Sequence, residues 1–207
     1  MTFLQHNHVS LRQLSHKMLA FLVSVLLVFV LAAPFAPATT ALAENTSSNK
    51  SSVTDEPKLT EATTAIVTDA QGNVLWSKNP DQELPMASIT KVMTAIVALD
   101  SGVNLDEPCE ITVPDLEEGS QVAGLTSDDT PTLRQLIMMM LVYSANDAAY
   151  NIAVNVSGSQ QAFVDQMNKK AAEIGMTHTQ FQNPHGLDAN GHYSTARDLA
   201  LMGRYAR

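Results

Sequence analysis

Cysteine is nearly missing from this chain: of its 207 residues only Cys109 is one. Without a second cysteine no internal disulfide can form, so the fold must rest on packing alone. No histidine motif accompanies Cys109, which reads as a small buried hydrophobe. Basic residues are also scarce, 12 Lys and Arg against 21 Asp and Glu, for a formal charge of −9. That balance argues against nucleic acid as a partner and against direct adhesion to anionic lipid. No internal repeat is present. His178 and His192 lack the spacing of metal ligands and read as surface residues, so neither metal nor cofactor is expected.

What is present begins with an export signal. Arg12 and Lys17 precede an apolar run from Met18 to Ala33, followed by the small-residue patterns Ala36-Pro37-Ala38 and Ala41-Leu42-Ala43. This is the pattern of a secretory signal peptide over residues 1–43. The run is short for a spanning helix, which needs about 20 residues; left uncleaved, it would anchor the chain to a membrane. The implied location is extracytoplasmic, in a periplasm or cell-wall space. Residues 44–58 are rich in Ser, Thr and Asn and read as a disordered spacer. Residues 59–207 form the folded portion.

That portion opens with two short β-type runs, Ala65–Asp69 and Val74–Lys78, around a turn at Ala70-Gln71-Gly72-Asn73, which predicts a hairpin. Trp76 is expected to pack it onto a helix. A polar connection leads to a helix around Ser88 that stops near Gly102. Glu110–Val113 is a strand candidate. Thr132 and Gln135 form a capping box ahead of an apolar helix. Its Met138, Met139 and Met140 read as core filler. Two more helices follow, Ala148–Val156 and Gln160–Ile174, the second stopped by Gly175. A last helix opens at the box Thr195-Ala196-Arg197-Asp198.

Two polar motifs interrupt these apolar helices. In Ser88-Ile89-Thr90-Lys91 the hydroxyl and the amine share a helix face, one turn apart. A serine hydroxyl needs a neighbouring base to become a nucleophile. A lysine serves if burial lowers its pKa, because desolvation disfavours the ammonium. The second motif, Ser144-Ala145-Asn146, stands where the apolar helix ends. Read singly, the first is an N-cap serine beside a solvated lysine, and the second an ordinary turn. Asp147 reads as a helix N-terminal charge, and His185, in Asn-Pro-His-Gly, as a turn residue with a structural role.

Together the motifs resemble the penicillin-binding and serine β-lactamase superfamily, where S-x-x-K is followed by S-x-N and K-T-G. The likeness is nearer to the serine D-alanyl-D-alanine carboxypeptidases and covers roughly residues 62–207. It rests on four ordered segments: Ala87–Ala95, Ser144–Ala149, Asn183-Pro184-His185-Gly186-Leu187, and Tyr193–Ala200. It implies an α/β (α+β) fold, an antiparallel sheet with helices. It also implies Ser88 as nucleophile, Lys91 as its base, Ser144 as proton relay, and Asn146 as the group that holds the lysine and the substrate. The implied substrate is a peptidoglycan stem peptide, with β-lactams as acylating inhibitors.

One departure is that no K-T-G follows Asn146 before Arg207. The expectation is an N-terminal portion, truncated before the C-terminal strands, and a poor enzyme by itself. A β-lactamase would use the same nucleophile. Ser144-Ala145-Asn146 lacks the middle Asp of the class A motif, however, and no E-x-x-L-N segment follows. An inert wall-binding module and a penicillin-sensing receptor domain are the other readings; the receptor would normally follow several membrane spans. The export signal has its own test. N-terminal sequencing of the exported protein should begin at Glu44, with Thr39 as second choice, and an intact Met1 would refute cleavage.

Overall fold

A computed structural model describes residue 57 and residues 59–207. The expected signal segment, and all of the expected spacer but Pro57, lie outside the described residues. The first elements are β1 (Ala65–Thr68) and β2 (Val74–Lys78), an antiparallel pair with Ala65 opposite Lys78 and a register shift between Val67 and Thr68. The turn is closed by the Asp69 carboxylate, which accepts from the amides of Gln71 (2.9 Å) and Asn73 (2.8 Å). Gly72 supplies the positive φ, +92°, that the turn requires. The hairpin is therefore where the sequence predicts it. β1 is the strand that meets a helix, the last one, while Trp76 stands half-buried on β2.

A single 3-10 turn, Ala87–Ile89, leads directly into α1 (Thr90–Asp100). The other helices are α2 (Leu133–Tyr143), α3 (Asn146–Ser157), α4 (Gln160–Glu173) and α5 (Ala196–Tyr205). α1 touches all four of them. Eight of its residues, Thr90, Lys91 and Met93–Ala98, are buried, so it is a hub rather than an amphipathic surface helix. Around it lies a core whose largest fully buried side chains include Phe163, Phe181, Met93, Leu136, Ile152 and Met202. Cys109 is buried, as expected.

Two expectations about this region fail. Glu110–Val113 is not a strand. Its backbone groups are met instead by side chains of α3. Asn151 donates Nδ2 to the Thr112 carbonyl (3.0 Å) and accepts the Thr112 amide at Oδ1 (2.8 Å). One turn on, Asn155 does the same for Glu110, at 2.9 Å and 3.1 Å. The i, i+4 spacing of a helix face here matches the i, i+2 spacing of an extended segment, and two amides replace a partner strand.

The methionine run is the second correction. Within α2 only Leu133, Leu136, Ile137 and Met140 are buried, while Met138, Leu141, Val142 and Tyr143 are about half exposed. An all-apolar sequence predicts burial all round, but α2 packs one face against α1 and α3 and leaves the other open. Truncation separates the two positions. Met140→Ala should cost about 2–5 kcal/mol and Met138→Ala under about 1 kcal/mol, measured by urea unfolding. Equal losses would contradict the one-sided packing.

Candidate active site

Ser88 is exposed and lies in the 3-10 turn just ahead of α1; Lys91, one turn on, is only 3% exposed. The nucleophile candidate is accessible and the base candidate is not. Lys91 Nζ is 3.0 Å from Ser88 Oγ. It also donates to Asn146 Oδ1 at 2.7 Å and to the His185 carbonyl at 2.5 Å. Ser144 Oγ donates to Ser88 Oγ at 3.0 Å. The four residues singled out from sequence thus meet at one point, although Ser88 and Ser144 stand 56 positions apart.

The partners of Lys91 decide what it can do. Two of them, an amide oxygen and a backbone carbonyl, only accept. The third, the Ser88 hydroxyl, can also donate. When the lysine is neutral, its two N–H groups are held by Asn146 and His185, and its lone pair is left facing Ser88. No carboxylate bonds to it, so nothing offsets burial, which lowers its pKa from 10.5 to about 8. About one lysine in ten is then neutral at pH 7, against fewer than one in a thousand for a free side chain.

Local backbone geometry places the other groups. Ser144 is the C-terminal cap of α2 in left-handed conformation, φ 58° and ψ 31°. For a residue with a Cβ this costs roughly 1–2 kcal/mol. Ala145 then turns the chain into α3, and the Asn146 amide donates to the Gln121 carbonyl at 2.8 Å. Asp147 follows, buried, accepting from the amides of Ala123, Gly124 and Leu125 at 2.8, 2.9 and 3.0 Å. It lies in the first turn of α3, as expected, and it also ties down the loop before α2. The Asn146 Nδ2 group has no partner among the described residues.

Sequence reasoning missed the part played by the Asn183–Leu187 turn. Thr94 Oγ1 donates to the Pro184 carbonyl at 2.6 Å, one turn beyond the contact of Lys91 with His185. Asn183 Oδ1 accepts from the Gly186 amide at 2.6 Å and closes the turn. Gly186 has φ +89°, and a Cβ there would lie 2.1 Å from the Ala87 carbonyl oxygen. The turn therefore packs directly against the backbone beside Ser88. His185 is buried, and its structural role is a backbone one; only the motif itself could have pointed there, since any residue has a carbonyl.

His192 corrects another expectation. It is buried, not at the surface; His178 is the exposed one of the two. Its Nδ1 accepts the Gln182 amide at 3.0 Å, so the ring proton sits on Nε2 and is donated to Thr90 Oγ1 at 2.8 Å. Thr195 caps α5 through the Asp198 amide. The Asp198 side chain does not complete the box; it accepts from the His178 amide and Thr179 Oγ1, both at 2.8 Å. Among the described residues no group of three or more His, Cys, Asp or Glu is arranged to hold a metal.

A family model described as D-alanyl-D-alanine carboxypeptidase, peptidase S11, matches residues 38–207. The chain is similar to the D-alanyl-D-alanine carboxypeptidase DacF of Bacillus subtilis, 33% identical over 187 residues, covering 88% of this chain and 46% of that protein. It is 43% identical over 143 residues to a D-alanyl-D-alanine endopeptidase of Pseudomonas aeruginosa, covering 67% of this chain and 45% of that protein. The chain thus spans about half the length of these curated relatives. It also superposes on penicillin-binding protein D2 of Listeria monocytogenes, solved in the cefotaxime-bound form. The TM-score is 0.66 at 31% identity, covering 73% of this chain and 64% of that one.

The buried lysine sets a pH dependence. Were Ser88 acylated with Lys91 as its base, the rate would rise with pH, reach half its maximum near pH 8 and level off above. Lys91→Met should remove both the rate and the profile; a flat profile from pH 6 to 10 in the parent would refute Lys91 as the base. The same shift has a stability consequence. Between pH 8 and 10.5 the unfolded chain binds more protons at this residue than the folded one, so its contribution to stability improves as pH rises through that window.

Proposed function

Because the chain belongs to the peptidase S11 family of D-alanyl-D-alanine carboxypeptidases and has the penicillin-binding protein/serine β-lactamase-like fold, we propose that it supplies the acylation centre of a serine-type D-Ala-D-Ala carboxypeptidase. On this reading neutral Lys91 takes the Ser88 proton as Ser88 Oγ attacks the carbonyl between two D-alanines of a stem peptide. A tetrahedral oxyanion forms. The Ser88 amide makes no hydrogen bond among the described residues and is free to donate to it. Removing one such donor costs about 10²–10³ in rate in other enzymes. The C–N bond then breaks, and the leaving amine receives a proton through Ser144, whose hydroxyl already contacts Ser88 Oγ. The amide of Asn146 supports the reading twice: Oδ1 holds the lysine, and the free Nδ2 can donate to a substrate carbonyl. Water then hydrolyses the ester on Ser88 and returns the enzyme.

The observation that carries this reading is the neutral, acceptor-only company of Lys91 beside an exposed serine. The same chemistry would let a β-lactam acylate Ser88 and remain attached. An extracytoplasmic setting, reached through the signal segment of residues 1–43 and the spacer that follows, is part of the proposal, since stem peptides are wall components. A class A β-lactamase would need an added deacylating carboxylate. None is bonded to Ser88, Lys91 or Ser144 among the described residues.

Incubation with a labelled penicillin should add one drug mass per chain, on the peptide that holds Ser88. Ser88→Ala should abolish it. Labelling that survives in Ser88→Ala, or no labelling of the parent after prolonged incubation, would overturn the assignment. Release of D-alanine should be assayed on a peptide ending in D-Ala-D-Ala and on a D-Ala-linked cross-bridge, because one relative is an endopeptidase.

A further inference from the structure

Residues 180–193 form a loop closed at its base, where Gln180 and Tyr193 exchange both backbone hydrogen bonds, at 3.0 and 3.1 Å. The loop grips one side of α1 at three points. Thr94 meets the Pro184 carbonyl, Lys91 meets the His185 carbonyl, and Thr90 meets the His192 ring. Two of these partners are backbone groups. Only at Thr90 is the partner a side chain, from 102 positions away. Both ring nitrogens of His192 are in use: Nδ1 accepts the Gln182 amide at 3.0 Å and Nε2–H donates to Thr90 Oγ1 at 2.8 Å. The fully buried Phe181 meets the ring edge-on, with centroids 6.0 Å apart and planes at 70°. The ring is thus fixed in plane and in tautomer. A buried histidine bonded to a hydroxyl is ordinarily a packing feature. What distinguishes this one is where the hydroxyl stands. Thr90 lies inside Ser88-Ile89-Thr90-Lys91, is fully buried, and makes no other side-chain bond among the described residues. Its amide donates to the Ala87 carbonyl, on the backbone that leads into Ser88.

Resting on the reading of Ser88 above, we propose that His192 is a positioning residue for acylation: its Nε2–H fixes Thr90, and through Thr90 the junction of the 3-10 turn and α1 that holds Ser88 against Lys91. His192 bonds neither of those two residues, so it acts only through Thr90. The junction needs such an anchor. Ser88 sits in a 3-10 turn and Lys91 in an α-helix, and the 3.0 Å between Oγ and Nζ depends on how the two join. A misplacement of about 1 Å at a reacting group costs about 10² in rate. Burial, opposed by the Asp188 charge, lowers the His192 pKa below its ordinary 6.5, so near pH 8 the ring is neutral and keeps both bonds.

The test divides the two bonds of the ring. In His192→Gln the side-chain amide reaches the place of Nε2 and keeps the donor to Thr90. In His192→Asn it reaches only the place of Nδ1 and keeps the acceptor for Gln182. Thr90→Val removes the acceptor at nearly constant shape. The full chain is treated with labelled penicillin over a range of concentrations, near pH 8 and well below the unfolding midpoint of every variant. The dependence on concentration separates affinity for the drug from the maximal rate of acylation. His192→Asn and Thr90→Val should each lower that rate at least about tenfold and leave the affinity within about twofold. His192→Gln should stay within about threefold of the parent, and His192→Asn/Thr90→Val should be no slower than either single variant. A parental rate in His192→Asn, equal losses in the Asn and Gln variants, or losses that multiply in the double variant would each overturn the positioning role. Titration of Lys91, followed by its ¹³Cε signal, needs no acylation and keeps the two readings apart. The midpoint should stay near pH 8 in the parent and in His192→Gln, and move toward 10.5 in His192→Asn, where the loosened junction admits water. Labelled Ser88 with a rate indifferent to residue 192 discards the positioning role alone. A midpoint that moves only in His192→Asn, in protein never labelled at Ser88, supports His192 as the residue that positions Lys91 and discards the acylation reading.

Discussion

The site depends on a lysine taken out of water with no carboxylate to hold its charge. Lowering its pKa from 10.5 to about 8 costs the folded state roughly 3 kcal/mol wherever the ammonium persists. A carboxylate in place of Asn146 would restore that stability and raise the pKa again, keeping the residue charged. Neutral acceptors are therefore the condition for an appreciable neutral fraction of this lysine. They orient two N–H groups and leave the electron pair for Ser88. Much of the surrounding structure delivers those acceptors: α3 brings the Asn146 amide, and the turn at Asn183–Leu187 brings a carbonyl.

Delivery is costly in backbone terms. Ala87 and Ser144, one beside Ser88 and one in contact with it, have φ of 47° and 58°. Both lie where a Cβ is disfavoured, and Gly186 closes on Ala87 with no room for a side chain. These are positions where local preference is overruled, and they lie around the same Ser88 hydroxyl. The helices that flank them supply the compensation. α1 is buried along nearly its whole length, and α2 and α3 pack on it and on each other.

Side chains, rather than strands, hold the loops that frame the site. Asp147 gathers three loop amides, and Asn151 and Asn155 pair with an extended segment in place of a β partner. One helix, α3, thus carries the amide that holds Lys91, the carboxylate that anchors a loop, and the asparagines that position the extended segment. A change in its register would be felt at all of them.

The hairpin, the α2 cap, the helix stops at Gly102 and Gly175, and the pairing of Ser88 with Lys91 were all legible in the amino-acid order. Each depends on interactions within a few residues, where spacing and turn chemistry suffice. The convergence of Ser144 on Ser88 and of Asn146 on Lys91 was legible only through motif order, because no local rule connects residues 56 or 55 positions apart. The exposed face of α2, the buried His192, the side-chain ladder of Asn151 and Asn155, and the His185 carbonyl at Lys91 were not legible. An apolar residue is buried only if a neighbour covers it, and a backbone carbonyl has no sequence signature. Sequence by itself determined which groups could do chemistry. Tertiary packing decided which of them left water, and so which proton could move.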